Sequence, residues 1–216
     1  MMDNMLIAEV ENDKYLVKIG YDDMSESPRV TQDNLGTVVE WSKNYDFGDA
    51  KLSRDYDSGY EAFRAYVTDE LDADESTESF EDIVYLPVYM YSHSGITLNT
   101  TGFSSMWDSG QVGYIYTTKE RAADWAKEFS ADEITVDEIK DRLRQEIKEL
   151  DYWVTGEMYR LTIYEKVVEC ECCGKTRLEF VEGLAGYRGA EDREYMLADI
   201  EEYTSKELRD IMDKEL

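Results

Sequence analysis

Residues 83–118 read IVYLPVYMYSHSGITLNTTGFSSMWDSGQVGYIYTT and carry one charged side chain, Asp108, in a chain of which 34% is charged. At that composition about a dozen charges would fall in such a stretch. Ile83 to Tyr91 and Gln111 to Thr117 are uncharged runs rich in β-branched and aromatic residues. That is the composition of strands buried on both faces. They predict two neighbouring core strands, the first of them central in its sheet. A polar loop joins them and holds the only histidine, His93.

Outward from this core, the first 21 residues predict a hairpin. Leu6, Ala8 and Val10 alternate, Asn12-Asp13 turns, and Tyr15, Val17 and Ile19 alternate again. Thr37 to Trp41 predicts a short strand. Met158 to Val168 and Thr176 to Val181 predict a hairpin with the three cysteines at its turn. Helices are announced by capping boxes, Ser/Thr followed three residues later by Glu. These are Ser58 with Glu61, Thr117 with Glu120, Thr135 with Glu138 and Thr204 with Glu207. Behind the third, Val136, Ile139, Leu143, Ile147 and Leu150 recur at helical spacing. A further helix is expected from about Glu191 to Tyr203. Together these predict an α+β fold, a central mixed or antiparallel sheet with helices packed mainly on one side. The expectation is one domain over residues 1–216, with residues 157–216 as a C-terminal extension of hairpin and helices.

A chain of 216 residues, 42% of them hydrophobic, can bury a core without disulfides. No run of 18 apolar residues exists to span a membrane, and the N-terminus lacks the basic and apolar regions of a secretory signal. Three clustered cysteines suit a reducing cytoplasm better than a disulfide framework. The net charge of −27 excludes a basic nucleic-acid-binding patch and docking on anionic membranes. It admits mimicry of DNA, because 27 charges match roughly 45 Å of duplex. Spread evenly over about 10,000 Å² of surface, they leave about 380 Å² per charge, against about 100 Å² for duplex DNA. Mimicry therefore requires the acids to gather on one face. Residues 69–82 hold eight acids and no base: Asp69, Glu70, Asp72, Asp74, Glu75, Glu78, Glu81 and Asp82.

The polar loop supplies the candidate binding site: His93, Ser94, Asn99, Asp108, Ser109 and Gln111. A His–Asp pair suits acid–base work near neutral pH. Its competitor is a structural network, since a buried aspartate needs partners. Gly95, Gly110 and Gly113 are expected to let the backbone approach these side chains. Ser92, Ser94 and Ser109 are candidate nucleophiles, but no nucleophile elbow frames them. Asp22, Asp23, Glu26, Asp46, Asp49 and Asp108, with His93, are candidate oxygen and nitrogen ligands for a divalent cation. Cys170, Cys172 and Cys173 form half of a zinc knuckle. Zinc takes four ligands and no second CxxC exists, so His93 or a second subunit would have to complete the site; free thiols, with no cofactor, are the expectation.

The order NLGT (34–37), YDFGD (45–49), LPVYMYSHSG (86–95) and WDSGQVGYIYTTKE (107–120) resembles an uncharacterised family of phage and plasmid proteins. Its members usually read NLGT, YxLGD, LPLYLYDHSG and WDSGQVGFIYVTKE. The resemblance covers about residues 20 to 156, including the stretch that reads LDYWVTGEMY here. The chain departs from it at Ser92, where aspartate is usual, and at Ser105-Met106, where Cys-Pro is usual. Ser92 removes one possible partner or metal ligand beside His93. The resemblance implies a mobile-element setting and no particular chemistry. The functional expectation is an acidic accessory protein that blocks a host DNA-binding protein through its basic groove. The alternatives are an enzyme or ligand-binding module at His93 and Asp108, and a salt-adapted acidic surface with no partner.

Overall fold

The computed structural model describes residues 6–70, 80–105, 107–128, 133–201 and 203. In order, β1 (Leu6–Glu11) and β2 (Tyr15–Tyr21) precede α1 (Pro28–Thr31), β3 (Thr37–Glu40), β4 (Ala50–Lys51) and α2 (Gly59–Glu70). Next come β5 (Ile83–Ser92), β6 (Ile96–Asn99), β7 (Ser109–Thr118), α3 (Lys119–Glu128) and α4 (Val136–Thr155). The chain closes with β8 (Met158–Cys170), β9 (Lys175–Arg188) and α5 (Arg193–Asp199). The fold is α+β with two sheets. Contacts divide it into two compact units, residues 26–155 and residues 1–25 with 156–216.

In the 26–155 unit a five-stranded mixed sheet has the order β4-β3-β7-β5-β6. Only the β3–β4 pair is parallel. β5 and β7 pair antiparallel from Ile83↔Thr118 to Tyr91↔Ser109. The uncharged runs are therefore neighbouring interior strands, as their composition demands. The side chains of β7 sort by strand alternation. Ile115 enters one core with Ile139, Leu143, Ile147 and Leu150 of α4 and with Ala122 of α3. Tyr114 and Tyr116 point to the opposite face and pack on Ala62, Phe63 and Val67 of α2. Phe63 stacks on Tyr114 with ring centroids 4.4 Å apart. Thus α3 and α4 cover one face of this sheet, α1 packs beside α4, and α2 covers the other face.

Gly36 and Gly113 are required by close approach. A Cβ on Gly36 would lie 2.5 Å from Leu143 Cδ2, and one on Gly113 would overlap the carbonyl oxygen of Val39. Gly113 therefore serves the β3–β7 contact. Gly95 and Gly110 face open space, so the expectation that these three glycines admit backbone to a site does not describe them.

In the second unit the antiparallel order is β1-β2-β8-β9. Val17 and Ile19 meet Leu161 and Ile163 beneath Met196, Leu197 and Ile200 at α5. β9 continues to Arg188, past the expected end at Val181. Register shifts in the β8–β9 pairing accommodate the glycine-bearing stretch that hides this strand from a composition reading. α5 is shorter than the expected 191–203 helix. The expected helix at Thr204 lies outside the described residues.

The capping boxes place most helix starts. Glu61 N donates to Ser58 Oγ at 3.2 Å. Thr135 and Glu138 bond reciprocally, with Glu138 N to Thr135 Oγ1 at 3.3 Å and Thr135 N to Glu138 Oε2 at 2.8 Å. For α3 the cap shifts by one residue: Arg121 N donates to Thr118 Oγ1 at 3.0 Å, while Thr117 is buried in β7. Two short strands, β4 and β6, and the short helix α1 arise within stretches rich in polar residues. No helix among the described residues is long and apolar enough to cross a membrane.

Candidate functional site

The 92–111 region lies where β5, β6 and β7 end together. Ser92 pairs with Ile96 across a tight turn in which Ser94 takes a left-handed φ of 61°. Ser92 N donates to Asp108 O at 2.8 Å, which holds the two strand ends side by side. His93 Nδ1 and Asp108 Oδ2 are consequently 3.7 Å apart, with 68% and 40% of their side-chain surfaces exposed. Water screens a pair this exposed, so it adds little to stability. Asn99 accepts from Thr101 N and Gly102 N and donates to Gly102 O, so it builds the next turn. Gln111 donates to Gly113 O at 3.3 Å. Ser92 Oγ pairs with Tyr45 Oη at 2.9 Å and Ser109 Oγ donates to Ser105 O, which is not a Ser–His arrangement. Beside them Tyr91 packs near Phe103, and Trp107 is 97% exposed.

The buried ionic centre of this unit is elsewhere. Arg29, its side chain 5% exposed, donates through Nη2 to Asp49 Oδ2 at 2.6 Å and to Gly36 O at 2.6 Å. Its Nη1 donates to Glu146 Oε2 at 2.9 Å. Glu146 is fully buried and also accepts from Leu35 N at 2.7 Å and from Gly36 N. Asp49 Oδ2 accepts from Val38 N at 2.7 Å. Burial works against the Arg29 charge, and the hydrogen bonds to Asp49 and Glu146 outweigh it, raising its pKa above the usual arginine value. The NLGT and FGD segments are thereby pinned to α4. Neither Arg29 nor Glu146 stood out in the sequence. The available signal was an acid at 146 on the apolar stripe of α4, three residues from Leu143.

Asp151, further along α4, accepts from Leu98 N at 2.6 Å and Thr97 Oγ1 at 2.8 Å on β6. Glu146 meets the residues leading into β3 and Asp151 meets β6, so α4 crosses the strands from β3 toward the β6 edge. α2 runs along β3. Gly59 abuts Trp41 just past the end of β3, while the Glu70 charge helps raise the pKa of Tyr66 and Tyr116 near the β3 start, after burial as the larger cause.

These elements sort charge by end. Where β5 begins and β7 finishes, Lys119 N donates to Asp82 O at 2.9 Å, and Arg121 donates to Asn34 O and Thr37 Oγ1. This end carries exposed Asp33, Asp69, Glu70, Glu81, Asp82 and Glu120 against Lys119 and Arg121. Asp72, Asp74, Glu75 and Glu78 lie outside the described residues. Toward the other end, residues 41–58 hold three acids and three bases once Asp49, which is bound to Arg29 near the start of β3, is set aside, and Asp108 alone joins them from 83–118. An open groove of about 1040 Å³ follows α2, lined by Lys51, Tyr56, Arg64, Tyr66 and Asp69 among others, without His93 or Asp108.

The candidate cation ligands are engaged separately. Asp49 binds Arg29, Asp46 lies 3.4 Å from Lys51, and Asp22 accepts from Met24 N. Among the described residues, the one group of three or more metal-ligating side chains is Cys170, Cys172 and Cys173, with sulfurs all within 4.8 Å of one another. Hydrogen bonding from Cys172 first, and then from Cys173, lowers the Cys170 pKa to about 7. No family model, curated protein or solved structure matches the chain.

Proposed function

We propose that this protein is an acidic accessory protein of a phage or mobile element, acting in the host-cell cytoplasm. It binds a host protein with a basic, nucleic-acid-binding groove and occupies that groove in place of DNA. The observation that carries this is the sorting of charge in the 26–155 unit. Six exposed acids stand against two bases at the end where β5 begins, while residues 41–58 with Asp108, leaving aside the Arg29-bound Asp49, hold four acids against three bases. An even coat would dilute the field; gathered carboxylates focus it and steer a basic partner to one end. Asp69 and Glu70 stand on the last turn of α2, which packs on β7.

The test is displacement. A panel of purified bacterial DNA-binding proteins, restriction endonucleases included, is loaded with labelled duplex DNA and titrated with the protein. Release of DNA from a panel member, at a protein concentration that rises with salt, is the expected result. Failure to displace DNA from any member at low salt counts against the function.

A further inference from the structure

The β8–β9 hairpin ends in Cys170-Glu171-Cys172-Cys173-Gly174-Lys175. Cys170 pairs with Lys175 across the ladder, Gly174 N donates to Cys170 O at 2.9 Å, and Gly174 takes a φ of 69° that closes the turn. This backbone gathers three sulfurs, with Cys170 Sγ 2.8 Å from Cys172 Sγ. Cys172 and Cys173 are exposed and Cys170 is half-buried, so none of the three fills a core. Exposed cysteine is kept for its chemistry more than for packing. A disulfide would join two of the three and leave the third unused.

Thiolates are soft donors that select Cu(I), zinc and iron–sulfur clusters over hard cations. Structural zinc is closed by four ligands. No histidine or carboxylate joins the three sulfurs, among the described residues, to make a fourth. Cu(I) differs in being satisfied by three sulfurs in a plane. We propose that Cys170, Cys172 and Cys173 form a three-thiolate site for one Cu(I) ion. On binding, each thiol gives up its proton to solvent or buffer, three Cu–S bonds form, and no oxidation state changes. The site then carries a net charge of −2. This revises the expectation of no cofactor, which rested on the missing fourth ligand of zinc.

The experiment uses the full chain, reduced and metal-free under anaerobic conditions. It is titrated with Cu(I) against a chromophoric Cu(I) chelator and, separately, with Zn(II) against a zinc chelator. The expected result is one Cu(I) per chain, lost in each of Cys170→Ser, Cys172→Ser and Cys173→Ser, with the metal-free melting temperatures unchanged because the cysteines lie outside the core. A free peptide of residues 169–176 should bind about tenfold more weakly, since the hairpin no longer preorganises its sulfurs. No stoichiometric Cu(I) binding, zinc held in preference to Cu(I), loss in only two of the variants, or a peptide equal to the chain would each overturn the proposal.

Discussion

Glu146 has no exposed side-chain surface and is met by Arg29, Leu35 N and Gly36 N, with Arg142 Nε 3.3 Å away. Removing one member of such a set leaves charges and donors buried without partners. Glu146→Ala should therefore cost about 3–5 kcal/mol in urea unfolding. Asp151 behaves differently. Burial raises its pKa, outweighing the bonds from Leu98 N and Thr97. Its charged form is thus disfavoured in the folded state, and it weakens the fold above its raised folded pKa. As pH falls through that value the folded carboxyl takes up a proton before the unfolded one does, and the penalty disappears. Asp151→Asn keeps an acceptor and removes the penalty. It should be neutral or stabilising at pH 7, and any advantage should shrink on acidification in pH-dependent melts. The exposed His93 and Asp108 should matter little to the fold. His93→Ala and Asp108→Asn should each change stability by no more than about 0.5 kcal/mol, a shift of about 1–2 °C. A drop several times larger would make the pair structural.

At the scale of elements, what the sequence revealed depended on how local the cause was. Capping needs residues three apart, so the box at Thr135 and Glu138 is readable and is formed. The α3 cap missed by one residue because Thr117 and Thr118 compete, and the strand claims Thr117 for its buried face. Thr117 Oγ1 is buried without a hydrogen-bond partner among the described residues. Thr118→Ala should then cost about 1 kcal/mol, and Thr117→Ala clearly less, in chemical denaturation. β6 escaped notice because its polar residues look like loop, and its order comes from pairing with β5 and from Asp151, over fifty residues away. The candidate site was legible only as a neighbourhood. His93 and Asp108 do meet, through a strand pairing, but their exposure depends on what the rest of the chain leaves uncovered. Arg29 and Glu146 were hidden for the same reason, being 117 residues apart.

Across the molecule, the uncharged 83–118 stretch works as a spacer as well as a core. Its strands carry no acids between their ends, so the acids flanking it collect at the end where β5 begins. The direct test is the affinity of charge-reversed variants for a basic DNA-binding protein that the wild-type chain displaces from duplex DNA, measured by calorimetry over a range of salt. One variant reverses Asp69, Glu70, Glu81 and Asp82 to lysine; the other reverses Asp46, Asp55, Asp57 and Asp108, an equal change of charge. The first should lose at least about tenfold in affinity and much of the salt dependence, while the second stays within about twofold of wild type. Equal loss in both variants, or none in the first, would contradict an acidic end built to stand in for DNA.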